Sequence, residues 1–401
     1  MRTFSVRERR LLMVQRHHLA GDSAGPDQVA AALIGLHATD PASVYLSVLA
    51  RSAEATIAEV AAAMYERRTL VRWMAMRRTL FLFPTRDVPI IQAAVSSPLA
   101  VTLHRQLASR IRRNGTDPPL GADIEEWLDR VGSRVRESLG RLGSATGAQL
   151  GAEVPELRTT IRPGSPSERA QNLTSPLLTA MSAAGGIVRG SPTGAWTGRH
   201  HRWEPVERWW PEGMPELDAA AAQSALARRW LERFGPATID DLRWWTGWSK
   251  TTVRRALTTL PVVDVDLHGQ PGIALSAEPG TDSLDQAPVA TLLPCLDPTP
   301  MGWKHRAWFL GISPHEVFDA AGNIGPTAWW DGEIIGSWAV ASRGEVRTVL
   351  LADRGAEAAE ALGAAAARLQ QRLYGTAVTP AIRTRLERSL TQDAAHRTRG
   401  A

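Results

Sequence analysis

The stretch Gly35-Leu36-His37-Ala38-Thr39-Asp40-Pro41, followed by the apolar run Ser43-Val44-Tyr45-Leu46-Ser47-Val48-Leu49-Ala50-Arg51, decides how the rest of the chain is read. Leu33, Ile34 and Leu36 make an apolar helix end, Gly35 loosens its last turn, and Asp40-Pro41 has the form of an N-cap followed by a proline at the first helical position. A junction between two helices is expected here. His37 and Thr39, separated only by a small alanine, can both point into one cleft at that junction. The alternative is that His37 bonds a neighbouring backbone carbonyl and Thr39 is an ordinary turn residue, because a lone His-x-Thr is a weak pattern.

Ser5 and Glu8 form a capping-box pattern for a first helix ending near Ala20-Gly21. Pro26-Asp27 opens a second helix that runs to the His37 junction, Asp40 starts a third, and Ile57, Val60, Ala61 and Met64 give a fourth its apolar face. Leu70 to Phe83 reads as two short strands about a turn at Met76-Arg77-Arg78. Helices followed by a hairpin is the order of a winged helix. The order recurs with a helix over Leu173 to Ala184, a glycine-rich strand-turn-strand over Ile187 to Trp196 and a linker over Pro205 to Pro215. It recurs again with helices over Ala219 to Phe234, Asp240 to Trp245 and Lys250 to Leu260, then a hairpin over Val262 to Ile273. Beyond Gln286 the texture changes to strands, over Val289 to Leu293, Ala307 to Leu310, Thr327 to Trp330, Glu333 to Gly336 and Val346 to Leu351. An alanine-rich helix over Ala356 to Leu373 and a basic tail that frays by Thr398 complete the chain. The expected fold class is therefore α+β, with tandem winged-helix (helix-turn-helix) units over 1–97, 98–215 and 216–285 and a β-rich C-terminal region over 286–401.

The charge is uneven. No acidic residue lies between Glu66 and Asp87, a stretch holding Arg72, Arg77 and Arg78, nor between Glu168 and Glu204, which holds Arg189, Arg199, His200, His201 and Arg202. With a net charge of +5, this clustering points to an anionic partner. Lys250 and Lys304 are the only lysines. The lone cysteine, Cys295, excludes an intramolecular disulfide framework and a thiolate zinc site, and its neighbours suggest a packed residue rather than a nucleophile. No apolar run approaches the ~20 residues that span a bilayer, and charge follows the N-terminus, so a cytoplasmic protein is expected. There is no phosphate-cradling glycine loop, no His-Glu-x-x-His and no nucleophile elbow, so no metal and no nucleotide cofactor are expected. Fifteen tryptophans, among them Trp209-Trp210, Trp244-Trp245 and Trp329-Trp330, invite base stacking, but core and interface filling explains most of them.

The motif stretch, the segment Met76-Arg77-Arg78-Thr79-Leu80-Phe81-Leu82-Phe83, and the run from Leu292-Leu293-Pro294-Cys295-Leu296-Asp297-Pro298 through Gly322-Asn323-Ile324-Gly325-Pro326-Thr327 to Gly336 together resemble the AlkZ/YcaQ-type winged-helix DNA glycosylases, in the family's order. That family carries a Gln-x-Gln or Gln-x-Asp motif where this chain has His37 and Thr39. The resemblance implies a monofunctional glycosylase acting on double-stranded DNA, which hydrolyses the N-glycosidic bond of alkylated purines or crosslinks in repair or genotoxin self-resistance. It implies no cofactor, and a monomer is expected. His37 and Thr39 would hold the attacking water, and at its ordinary pKa of ~6.5 the imidazole would give an acidic limb near pH 6 to 7. Arg72, Arg77, Arg78, Arg199, His200, His201 and Arg202 would contact DNA, with Asp40 and Asp297 as site support. The alternatives are a winged-helix DNA-binding protein without catalysis, either a regulator or a lesion binder, and a protein-protein scaffold, which the arginine runs disfavour.

Overall fold

A computed structural model describes residues 1–21, 25–121, 123–278 and 287–392. The expected boundary at 285/286 and the end of the basic tail at Thr398 lie outside them. Ser5 and Glu8 form the capping box of the helix Val6–Arg16. Helices Pro26–Ala32, Pro41–Leu49 and Ile57–Tyr65 follow, then the hairpin strands Leu70–Ala75 and Thr79–Pro84.

These strands belong to a five-stranded sheet in the spatial order Leu36–His37, Thr79–Pro84, Leu70–Ala75, Ile187–Pro192, His201–Pro205. The sheet crosses the expected 97/98 boundary, with Arg72 directly opposite Arg189. One of its faces carries Leu36, Leu70, Leu80 and Leu82 into a core with the second, third and fourth helices. The other carries Val71, Trp73, Phe81 and Phe83 into the largest core, shared with Trp230, Phe234, Trp303 and Trp329. Alternating side chains of two strands thus divide the molecule's hydrophobic interior.

Helices Ala219–Phe234, Ile239–Thr246 and Lys250–Thr258 are followed by strands Val262–Asp266 and Pro271–Leu275, the order read from the sequence. Arg2–Thr3 adds a parallel edge strand to that hairpin. A four-stranded antiparallel sheet of Ala290–Leu293, Thr327–Trp330, Glu333–Val340 and Val346–Leu350 forms the C-terminal region. Helix Gly355–Leu373 buries Ala358, Leu362, Ala366, Leu369 and Leu373 at helical spacing in the core of this sheet.

Three expectations need correction. The second helix ends at Ala32, and Leu36–His37 is a short strand rather than the close of a helix, because Ile34 (φ 52°) and Gly35 (φ 107°) turn the chain left-handed. The segment expected as a strand over Ala307 to Leu310 is a 3-10 turn, Ala307–Phe309. A strand would send Trp308 and Phe309 to opposite faces, whereas the turn packs both against Trp303, at 5.0 and 5.9 Å. The glycine-rich strand does not return before Trp196. Its partner begins at His201, with a register shift between Arg189 and Pro192. Most tryptophans are core: Trp209, Trp245 and Trp329 are buried. Among the described residues no helix is long and apolar enough to cross a membrane.

Candidate active site and nucleic-acid interface

His37 is placed by the short strand, which pairs Leu36 with Leu82 and His37 with Phe81. Gly35 lets the chain enter that strand. A Cβ there would lie 2.6 Å from the Phe83 ring at a backbone angle that side chains rarely adopt. The imidazole is 6 % exposed, its ring 5.1 Å from Phe81, and Nδ1 has no hydrogen-bond partner among the described residues. Burial, with a smaller push from Arg77, lowers its pKa to about 4. The group is therefore neutral at pH 7, and any acidic limb it causes belongs near pH 4, not near pH 6 to 7. Thr39 is exposed two residues on.

Asp40 heads the next helix but makes no side-chain cap. Its carboxylate, 3 % exposed, accepts from Cys295 Sγ (3.1 Å), Ser43 Oγ (3.3 Å) and the Ala381 amide (2.9 Å), so it ties the motif to the C-terminal region. Cys295 is buried, and burial reinforced by Asp40 raises its thiol to about 12, which makes it inert.

Asp297, expected as site support, is fully buried and forms a two-pronged ion pair with Arg51, at 2.7 and 2.8 Å. Ser47 Oγ and the Thr299 amide also donate to it. Arg51 further donates to the His17 and Ser47 carbonyls and to Thr299 Oγ1. His17 completes the network against Thr299, and burial together with Arg51 holds its pKa well below the ordinary range. Both carboxylate oxygens are engaged within the protein, which makes Asp297 a structural anchor.

The expected basic residues separate into two groups. Arg77 and Arg78 stand exposed at the hairpin tip, both with positive φ (54° and 61°). Arg77 lies 4.0 Å over the Trp244 ring, and Arg306 lies 4.8 Å from the same ring. Arg199 and His200 are exposed on the loop before the last strand. Arg72 and Arg202, by contrast, are held by the protein. Arg72 is 5 % exposed and donates to the Gly190 carbonyl, and Arg202 donates to the Ser144 hydroxyl and carbonyl. His201 is half-buried against Trp203, at 4.9 Å, and burial with the charges of Arg189 and Arg72 lowers its pKa to about 4.

Sequence reasoning missed Arg51, Trp244 and Arg306 as organising residues. Arg51 carried a legible signal, since it ends an otherwise apolar helix run. Trp244 was legible only as half of a tryptophan pair and Arg306 carried no signal, because only the fold brings them to the hairpin tip.

Residues 30–372 match the family described as AlkZ-like, DNA glycosylase AlkZ-like. No curated protein matches. Among solved structures, the Streptomyces sahachiroi DNA glycosylase AlkZ is similar, with a TM-score of 0.70 at 20 % identity, covering 95 % of this chain and 99 % of that one. At that identity the likeness speaks for the fold. The match over most of the chain speaks for descent: this protein belongs to the AlkZ-like DNA glycosylase family.

Proposed function

We propose that the protein is a monofunctional DNA glycosylase of tandem winged-helix units that acts as a cytoplasmic monomer on double-stranded DNA, releasing alkylated purines by water-mediated hydrolysis. The observation that carries this reading is a neutral His37 with a free Nδ1, beside the exposed Thr39 and within the field of Arg77. An N7-alkylated guanine is already cationic, so it leaves without a protein acid. The site must only position a water and accept its proton as the sugar acquires oxocarbenium character. Neutral His37 can accept that proton and the Thr39 hydroxyl can hold the water. A DNA phosphate docked on Arg77 would offset the charge that weakens the imidazole, making His37 a stronger base in the complex than in the free protein.

Excision should end at the abasic site. Strand-nicking by Schiff-base chemistry needs an accessible amine at the sugar, and the two lysines, Lys250 at the start of the Lys250–Thr258 helix and Lys304 paired with Asp240, are far in sequence from His37. The direct experiment is incubation with duplex carrying N7-alkylguanine or a crosslink, followed by analysis of released base. A second reading, DNA binding without catalysis, is favoured by the enclosure of the imidazole at 6 % exposure. Tight binding with no base released from any alkylated duplex would establish that reading instead.

A further inference from the structure

A groove of about 920 Å³ runs between the N-terminal half of helix Thr174–Ala183 and the strands Ile187–Pro192 and His201–Pro205, and none of the residues lining it is acidic. Arg189 and His201 form part of its wall, with Arg199 and His200 at its edge. Behind Arg189, directly opposite in strand register, stands Arg72.

Two guanidinium groups facing each other across strands repel, and proteins ordinarily set a carboxylate between them. Here Arg72 Nε, Arg189 Nε and His201 Nε2 are all buried and have no hydrogen-bond partner among the described residues. Arg72 is 5 % exposed, its guanidinium 5.9 Å from the Tyr65 ring, and that of Arg189 rests 5.2 Å over Trp203. The carboxylate on the last strand, Glu204, sits one residue out of step with Trp203 and is paired with Arg208 at 2.8 Å. The charges that act on His201 among the described residues are those of Arg189, Arg72 and His200, all basic, while its Nδ1 lies 3.4 Å from the Arg199 carbonyl. The cost shows in Arg189, whose pKa burial and Arg72 lower to about 10.

We propose that this groove is a phosphate seat, in which Arg189 and His201, with the charge of Arg72 behind them, take one phosphodiester of a DNA strand lying between the helix and the wing. The proposal rests on the DNA-binding reading above and adds to it a defined, partly buried anchor point distinct from His37. An entering phosphate supplies the missing anion, engages the unpartnered nitrogens of Arg189 and His201, and favours protonation of His201, so that binding takes up a proton. Affinity therefore rises as the pH falls below 7 and levels off near the free-state value of about 4.

The test is fluorescence anisotropy on undamaged duplex across a salt series at pH 7.5 and 5.5, with the thermal midpoint measured in inorganic phosphate against chloride of equal ionic strength. Arg189→Gln should weaken duplex binding about tenfold and reduce the log-log salt slope by about 0.9, while leaving the midpoint of the free protein unchanged or raised. Inorganic phosphate should raise the midpoint of the parent and not of Arg189→Gln. His201→Gln should bind duplex at pH 7.5 but lose the tightening at pH 5.5. If the parent binds duplex while Arg189→Gln keeps its affinity and slope, the groove is structural and the proposal is overturned. Phosphate stabilisation without any duplex binding by the parent would overturn the DNA reading and replace the phosphodiester with a small phosphorylated ligand.

Discussion

His37 is the residue on which the proposed chemistry turns. His37→Ala should slow release of alkylated base by at least about 10²-fold while leaving duplex affinity nearly intact, because in the proposed mode the arginine surfaces would hold the DNA. His37→Gln, which restores the family's residue type, should retain part of the rate and lose any acidic limb near pH 4. A parent rate untouched by His37→Ala would remove His37 from the mechanism. Stability should report on the same group. The unfolded imidazole, at ~6.5, binds a proton that the folded one refuses down to about 4. Its contribution is complete above ~6.5 and is lost as the pH falls toward 4, by about 3 kcal/mol at the lower limit. His17, depressed in the same direction, adds to the loss. Urea midpoints measured between pH 7 and 4.5 should therefore fall more steeply in the parent than in His37→Gln.

At the level of elements, the hairpin Leu70–Pro84 connects the motif strand to the surface that would meet DNA. Arg77 and Arg78 hold a left-handed tip, and neither is spent on an internal ion pair among the described residues, so both guanidinium groups are available to phosphates. Arg77→Gln with Arg78→Gln should lower the salt slope of duplex binding by about 0.9 for each phosphate that is no longer neutralised. A slope unchanged by both substitutions would move the interface elsewhere. This hairpin, the three-helix unit ending at Thr258 and the C-terminal packing helix were legible in the sequence, because local periodicity and capping residues specify them. The short strand at His37 was not, because two residues carry no periodicity and its pairing is decided by Phe81 and Leu82, more than forty positions away. For the same reason Arg72 read as a surface cation: its neighbours in sequence are apolar on both sides, and only the cross-strand partner Arg189 reveals where it lies.

For the whole molecule the decisive interaction is that of Arg51 with Asp297, which fastens the motif helix to the start of the C-terminal region through a pair wholly removed from water. Asp297→Ala leaves a guanidinium buried and uncompensated, and should cost about 3–5 kcal/mol in denaturant unfolding. Replacing both partners with apolar residues, Arg51→Met with Asp297→Leu, should recover much of that loss. If Asp297→Ala instead abolished excision with stability unchanged, Asp297 would belong to the chemistry and not to the scaffold.

The separation of these partners along the chain sets a timetable for biosynthesis. Arg51 leaves the ribosome 246 residues before Asp297. At roughly 5–20 residues per second its helix waits roughly 10–50 s for the carboxylate that makes burial tolerable. During that interval the nascent N-terminal part must keep the Arg51 end of its helix open to solvent, so a chain stopped short of Asp297 should be recognised by chaperones and proteases as unfinished.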